Sequence, residues 1–263
     1  MAKNKLIAIG CSYTEHYEDS IYADESELNF IRWPQHLADK LDMECVNLGK
    51  ASMGQEYMVA KLLDTLISEK NIGLIVIMWS EWQRLDFQFR PGKGTNGWVN
   101  LHPHRDNFEV ERYPINREAR IALLEHNNVI SATMRSLRFF LMAQELIKDI
   151  PYLMIQGCNP LCDVLYLHPE SDNVDWQIVA QMRNKSIKQI INSPISDRIN
   201  ENNFIGWPIF EDIGGYYLDN YLDEIDPERI KYRISENDSH PNGLGHEIIS
   251  EEILYDKYME IYK

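Results

Sequence analysis

Two short segments at opposite ends of the chain hold residue types that can do nucleophilic chemistry together. The first is Gly10-Cys11-Ser12-Tyr13-Thr14, which follows the apolar run Leu6-Ile7-Ala8-Ile9. A serine just past a buried strand and a glycine is well placed as an exposed nucleophile, and a following helical turn would aim backbone N–H groups at the same spot. A serine there also suits a helix cap. The second segment is Asn237-Asp238-Ser239-His240-Pro241-Asn242-Gly243-Leu244-Gly245-His246. Its histidine has a carboxylate two residues earlier, and such a partner holds an imidazole in one tautomer and stabilises its charged form. The bland reading is a polar turn that opens the last helix. Cys11 adds a thiol option beside Ser12, but neighbouring residues leaving a strand point opposite ways, so only one of the two faces His240.

The elements that must position these residues follow from the alternation of short apolar runs with helical patterns, which predicts βα units and a parallel sheet. Strands are expected over residues 5–9, 44–48, 73–78 and 152–156, all read as buried on both faces. Helices are expected over 33–41, 57–67, about 117–148 and about 245–258. The polar stretches 87–116 and 159–175 break the rhythm and read as loop insertions in one domain spanning 1–263. Loops at the carboxyl ends of parallel strands are where such sheets hold ligands.

Taken together, the two segments resemble the SGNH (GDSL-type) hydrolase superfamily, in the right order and over nearly the whole chain. The family's first block, Gly-Asp-Ser-x-Thr, matches Gly10, Ser12 and Thr14, with Cys11 in place of the aspartate. Its last block matches Asp238 and His240-Pro241, with Gly245-His246 beyond; many members carry the aspartate at the position of Asn237 instead. The second block, Asn-x-Gly, looks like Asn47-Leu48-Gly49 with Gly54 beyond, and its oxyanion glycine aligns with Ser52. The third block, Gly-x-Asn-Asp, falls on Met78-Trp79-Ser80-Glu81, so Ser80 stands where the oxyanion asparagine would be. Trp33-Pro34 and the Asn-Leu-Gly exit are similar to the variant common in bacteriophage members.

The resemblance implies a three-layer α/β/α sandwich with a mostly parallel central sheet, the flavodoxin-like arrangement. It also implies a serine esterase without cofactor or metal. Ser12 would be the nucleophile, His240 the base and Asp238 its orienting carboxylate, with Gly49, Ser52, Gly54 or Ser80 serving the oxyanion. The expected substrate is a small acyl ester, with an O-acetyl group on a carbohydrate as the narrower expectation. A non-catalytic glycan- or protein-binding relative and an acyltransferase are the competing readings.

Composition bounds the rest. The 263 residues carry 44% apolar and 25% charged side chains, ordinary for a globular protein. Lys and Arg number 26 against 41 Asp and Glu, a formal net charge of −15. That balance repels nucleic-acid phosphates and anionic membranes. No apolar run reaches the ~20 residues of a membrane helix, and the start lacks a signal-peptide core, so a reducing cytoplasmic setting is expected, or a virion if the chain is phage-encoded. The four cysteines make no disulfide framework, and Cys158 and Cys162 lack a second pair at zinc spacing. Gly92-Lys93-Gly94-Thr95-Asn96-Gly97 fits a dinucleotide pattern but follows no strand, so it reads as a loop. His102, His104 and His126 read as solvated. Trp79, Trp82, Trp98, Trp176 and Trp207 suit either sugar stacking or packing, and Arg84 suits a salt bridge with Glu81.

Overall fold

The computed structural model of the chain describes residues 3–18, 20–24, 26–88, 97–101, 122, 127–161 and 176–263. Its centre is a five-stranded sheet built from β1 (Lys5–Ile9), β2 (Glu44–Asn47), β3 (Ile72–Trp79), β6 (Tyr152–Gln156) and β7 (Phe204–Ile205), ordered β2-β1-β3-β6-β7. Every neighbouring pair is parallel. The two ribbons β4 (Leu85–Gln88) with β5 (Trp98–Leu101), and β8 (Arg233–Ser235) with β9 (Asp238–Pro241), are antiparallel and separate from it.

The central strands are continuous apolar runs, and all but the first residues of β1 and β3 are buried. Such strands must be covered on both faces, and helices do this. On one face α1 (Trp33–Lys40) packs against the C-terminal helical segment: α6 (Gly243–Ile248), a π-helical stretch (Ile249–Tyr255) and α7 (Asp256–Tyr262). On the other, α2 (Gln55–Ser68) packs against α3 (Val129–Ile147), which in turn packs against α4 (Trp176–Asn192). A short helix, α5 (Leu218–Ile225), precedes the second ribbon. The fold is thus α/β, with a parallel sheet between helical layers. The strand order reverses between β1 and β3, the place where open parallel sheets put ligands at their carboxyl ends.

Three expectations need correction. Strand β2 is not buried on both faces: among the described residues it is an edge strand paired with β1 alone, and Glu44 and Asn47 are exposed. The 87–116 stretch is not all loop, because Phe87, Gln88 and residues 98–101 belong to the first ribbon. His240 is not in a turn but on β9, and the last helix begins three residues later. Most of both insertions, with Gly92, His102, His104, Arg105, His126 and Cys162, lies outside the described residues. Among the described residues no helix is long and apolar enough to cross a membrane, and no group of three His, Cys, Asp or Glu side chains is gathered as for a metal ion.

Candidate active site

The chain leaves β1 at Gly10 and makes one helical turn, with the Thr14 and Glu15 N–H groups donating to the Cys11 carbonyl at 2.9 and 3.0 Å. Gly10 is needed for closeness: a Cβ there would stand 2.2 Å from Thr14 Oγ1. Neighbouring elements hold the turn from outside. The Trp33 indole N–H donates to the Tyr13 carbonyl (3.0 Å) and the Asn47 amide donates to the Thr14 carbonyl (2.6 Å). The Lys50 N–H donates to the Gly10 carbonyl (3.0 Å), and the Ala51 N–H to the Glu15 carboxylate. So the exits of β1 and β2 form one stitched unit, with Ser12 half-buried at its apex.

The other half of the site is the β8–β9 ribbon, fixed from beneath by Arg233. This guanidinium is fully buried and ion-pairs with Asp219 (2.8 Å) and Asp223 (2.7 Å), while also donating to the Ser239 carbonyl. Burial pulls the Arg233 pKa down, but Asp219, Tyr13 and Asp223 outweigh it and hold the group firmly charged. The Tyr13 hydroxyl donates to Asp219 at 2.7 Å, tying the ribbon to the β1 exit.

These two units bring three residues together. His240 Nε2 lies 2.8 Å from Ser12 Oγ, and His240 Nδ1 lies 2.5 Å from Asp238 Oδ1. The same Asp238 oxygen accepts the His240 backbone N–H at 3.0 Å. Burial raises the Asp238 pKa, but hydrogen bonding and charge from His240, together with the Ser20 hydroxyl, outweigh it and leave the carboxyl below its usual range. Asn237 takes no part; its amide sits on the turn beside Glu236. The arrangement can activate a serine hydroxyl: Nε2 is placed to take its proton while Asp238 stabilises the imidazolium.

The four oxyanion candidates differ. The Gly49 N–H already donates to Asn47 Oδ1 (2.9 Å), and the Gly54 N–H to Asp86 Oδ1 (2.9 Å). The Ser80 hydroxyl, with no solvent exposure, donates to the Met53 carbonyl (2.9 Å). The Ser52 N–H has no acceptor among the described residues, and neither has the Ser12 N–H. Ser52 also adopts φ of 64°, the left-handed conformation that favours glycine.

Cys11, beside Ser12, is buried at 1% exposure. Its buried sulfur takes a hydrogen bond from Cys158, which lowers the Cys11 pKa and raises that of Cys158. Trp79 and Trp82 are core residues with no exposure, and Trp98 meets Tyr57 edge-on at 5.5 Å. Arg84 ion-pairs with Glu81 at 3.1 Å. Nothing in the sequence reading singled out Asp219, Arg233, Tyr17 or Ser20. They are ordinary polar residues at scattered positions, and only the folded chain gathers them around His240.

No family model matches the chain, and no curated protein matches it. Among solved structures, it is similar to a member of the lipolytic G-D-S-L family from Veillonella parvula DSM 2008, at 11% identity over 98% of this chain and 97% of that one, with a TM-score of 0.40. A carbohydrate esterase, described as displaying divergent catalytic and non-catalytic binding functions at its active site, shares 10% identity over all of this chain and 67% of its own, with a TM-score of 0.38. A G-D-S-L family protein from Desulfitobacterium hafniense DCB-2, described only provisionally as lipolytic, shares 17% over 70% of this chain and 98% of that one, with a TM-score of 0.25.

Proposed function

We propose that the chain is a serine esterase of SGNH type that cleaves small acyl esters. The observation that carries this reading is the continuous contact from Ser12 Oγ through His240 to Asp238, at 2.8 and 2.5 Å. In the proposed reaction Ser12 Oγ attacks the ester carbonyl as its proton passes to His240 Nε2. The Ser12 and Ser52 N–H groups, the two candidate donors not already committed, hold the oxyanion. Collapse of the tetrahedral intermediate expels the alcohol, which takes the proton from His240 and leaves an acyl-serine. Water, deprotonated by the same imidazole, then releases the acid and restores Ser12.

With the Ser80 hydroxyl committed to Met53, the site works with backbone donors alone. Each oxyanion donor is typically worth roughly 10²–10³ in rate, so a modest turnover fits this reading. The narrower reading is an O-acetyl ester of a carbohydrate, the acyl group being small and the alcohol polar.

The test is hydrolysis of p-nitrophenyl acetate by the wild type beside Ser12→Ala and His240→Ala, with folding checked by circular dichroism. Both folded variants should lose at least about a hundredfold in kcat/KM. Equal rates in wild type and variants would overturn the esterase reading. Acetate release from O-acetylated oligosaccharides then tests the narrower one.

A further inference from the structure

Between β1 and α1 the chain folds back over the base it faces. Ser20 Oγ–H donates to Asp238 Oδ2 at 2.5 Å and itself accepts the Tyr22 N–H at 3.2 Å. Three residues earlier, the Tyr17 ring lies stacked on the His240 imidazole, with centroids 4.0 Å apart and 17° between the planes. Tyr13, just past Ser12, meets the same imidazole edge-on at 5.1 Å. One continuous segment therefore carries the nucleophile and also touches both members of the acid–base pair.

The two oxygens of Asp238 divide the work. Oδ1 takes the backbone N–H and Nδ1 of His240, whereas Oδ2 has Ser20 as its hydrogen-bond partner among the described residues. The Asp238 side chain is 7% exposed, which leaves little room for water to replace that hydroxyl. Rotation of a carboxylate about its Cβ–Cγ bond is a soft torsion without sharp staggered wells. Its plane is thus set by what its oxygens bind, and only anchors on both oxygens fix it. A buried acceptor stripped of its donor is costly, and a carboxylate free to turn relieves that cost by leaving His240.

We propose that Ser20 is a positioning residue of this site: its hydroxyl fixes the Asp238 carboxylate so that Oδ1 faces His240 Nδ1, and the segment bearing Ser12 thereby aligns its own base. The proposal rests on the esterase reading for its kinetic consequence. Its geometric consequence, an ordered Asp238–His240 pair, is independent of any activity.

The experiment compares wild type, Ser20→Ala and Ser20→Thr, with Ser12→Ala as the reference for Ser12-dependent hydrolysis of p-nitrophenyl acetate. The far-downfield proton resonance of His240 Nδ1–H is recorded for each. Ser20→Ala should lower kcat about tenfold with KM within about twofold, and Ser20→Thr, which keeps the donor, should recover to within about threefold. The resonance should be sharp in wild type and Ser20→Thr and broadened or lost in Ser20→Ala. If Ser20→Ala does not fold, Ser20→Cys, close in size but a weak donor, takes its place. An unchanged kcat, or an unchanged resonance, in the donor-less variant overturns the proposal while Ser12 dependence keeps the esterase reading intact. If no Ser12-dependent hydrolysis is found, the esterase reading falls, and the resonance alone decides whether Ser20 orders the pair.

Discussion

The Ser80 hydroxyl donates to the Met53 carbonyl from a position with no solvent exposure, and the Arg84 guanidinium donates to the same carbonyl at 3.2 Å. That makes Ser80 a clamp on the loop before α2. Ser80→Ala should therefore cost about 1 kcal/mol of stability, as for a lost buried hydrogen bond, while kcat changes less than about threefold. A loss of a hundredfold or more at unchanged stability would put Ser80 back on the oxyanion. Ser52 makes the complementary case. Its φ of 64° is unfavourable for an L-residue by roughly 1 kcal/mol, so Ser52→Gly should raise the melting temperature and retain activity, because the backbone N–H survives. A tenfold loss in that variant would shift the role from the N–H to the hydroxyl. At this scale the sequence singled out Ser12, Asp238 and His240, which the fold brings into contact, because each lies in a short segment of marked spacing, Gly10-Cys11-Ser12 and Asp238-Ser239-His240-Pro241. It was silent on Ser20 and Tyr17, because a serine and a tyrosine in a polar stretch carry no spacing signal until the chain folds back.

Legibility at the scale of elements follows burial. β1 and β6 match their sequence-expected bounds, and β3 differs by one residue at each end, because a strand covered on both faces is a plain apolar run. The ribbon that carries His240 is Arg233–Ser235 paired with Asp238–Pro241, whose polar residues and terminal proline show no alternation. β7 is two residues long, too short for any periodicity. What makes β8–β9 a stable element is the buried Arg233, so its removal should be felt twice. Among the described residues, Arg233→Met leaves Asp219, 14% exposed, without its ion-pair partner, and Asp223, 41% exposed, with Arg229 alone. The cost should be roughly 3 kcal/mol, discounted for the open side of Asp223. In a chain of this length that lowers the melting temperature by roughly 6–12 °C. Because the ribbon holds Asp238 and His240, kcat should fall with it. A variant that melts early but keeps full kcat would show that the ribbon holds its shape without the guanidinium.

Across the whole molecule, acid stability should depend on a buried histidine outside the Ser12–His240–Asp238 contact. His246 is 3% exposed where α6 meets α1, and its Nδ1 accepts the Trp33 N–H at 3.3 Å. Burial first, then the nearby Arg32 charge, holds its pKa well below the ordinary value of 6.5. The unfolded chain therefore binds a proton below about pH 6.5 that the folded chain refuses. The stability His246 contributes is fully present above that pH and drains as pH falls, by up to about 1.4 kcal/mol per pH unit, until the folded pKa is reached. Asp238, held below the usual carboxylate range, has the same sign but a lower window, beginning near its unfolded value of about 3.9. Asp86 and Glu56 act in the opposite sense, since burial raises both and acid relieves them. Protonation also relieves the self-repulsion of a chain with formal charge −15. A single melting curve would mix these effects, so the difference between two proteins is the quantity to measure. His246→Asn keeps an acceptor for the Trp33 N–H without a group that titrates. Denaturant unfolding at pH 7.5, 6.5 and 5.5 should then show wild type losing stability relative to His246→Asn as pH falls. Parallel curves would mean that the folded chain accepts a proton at His246, and that the junction between α1 and the C-terminal helical segment opens to let it in.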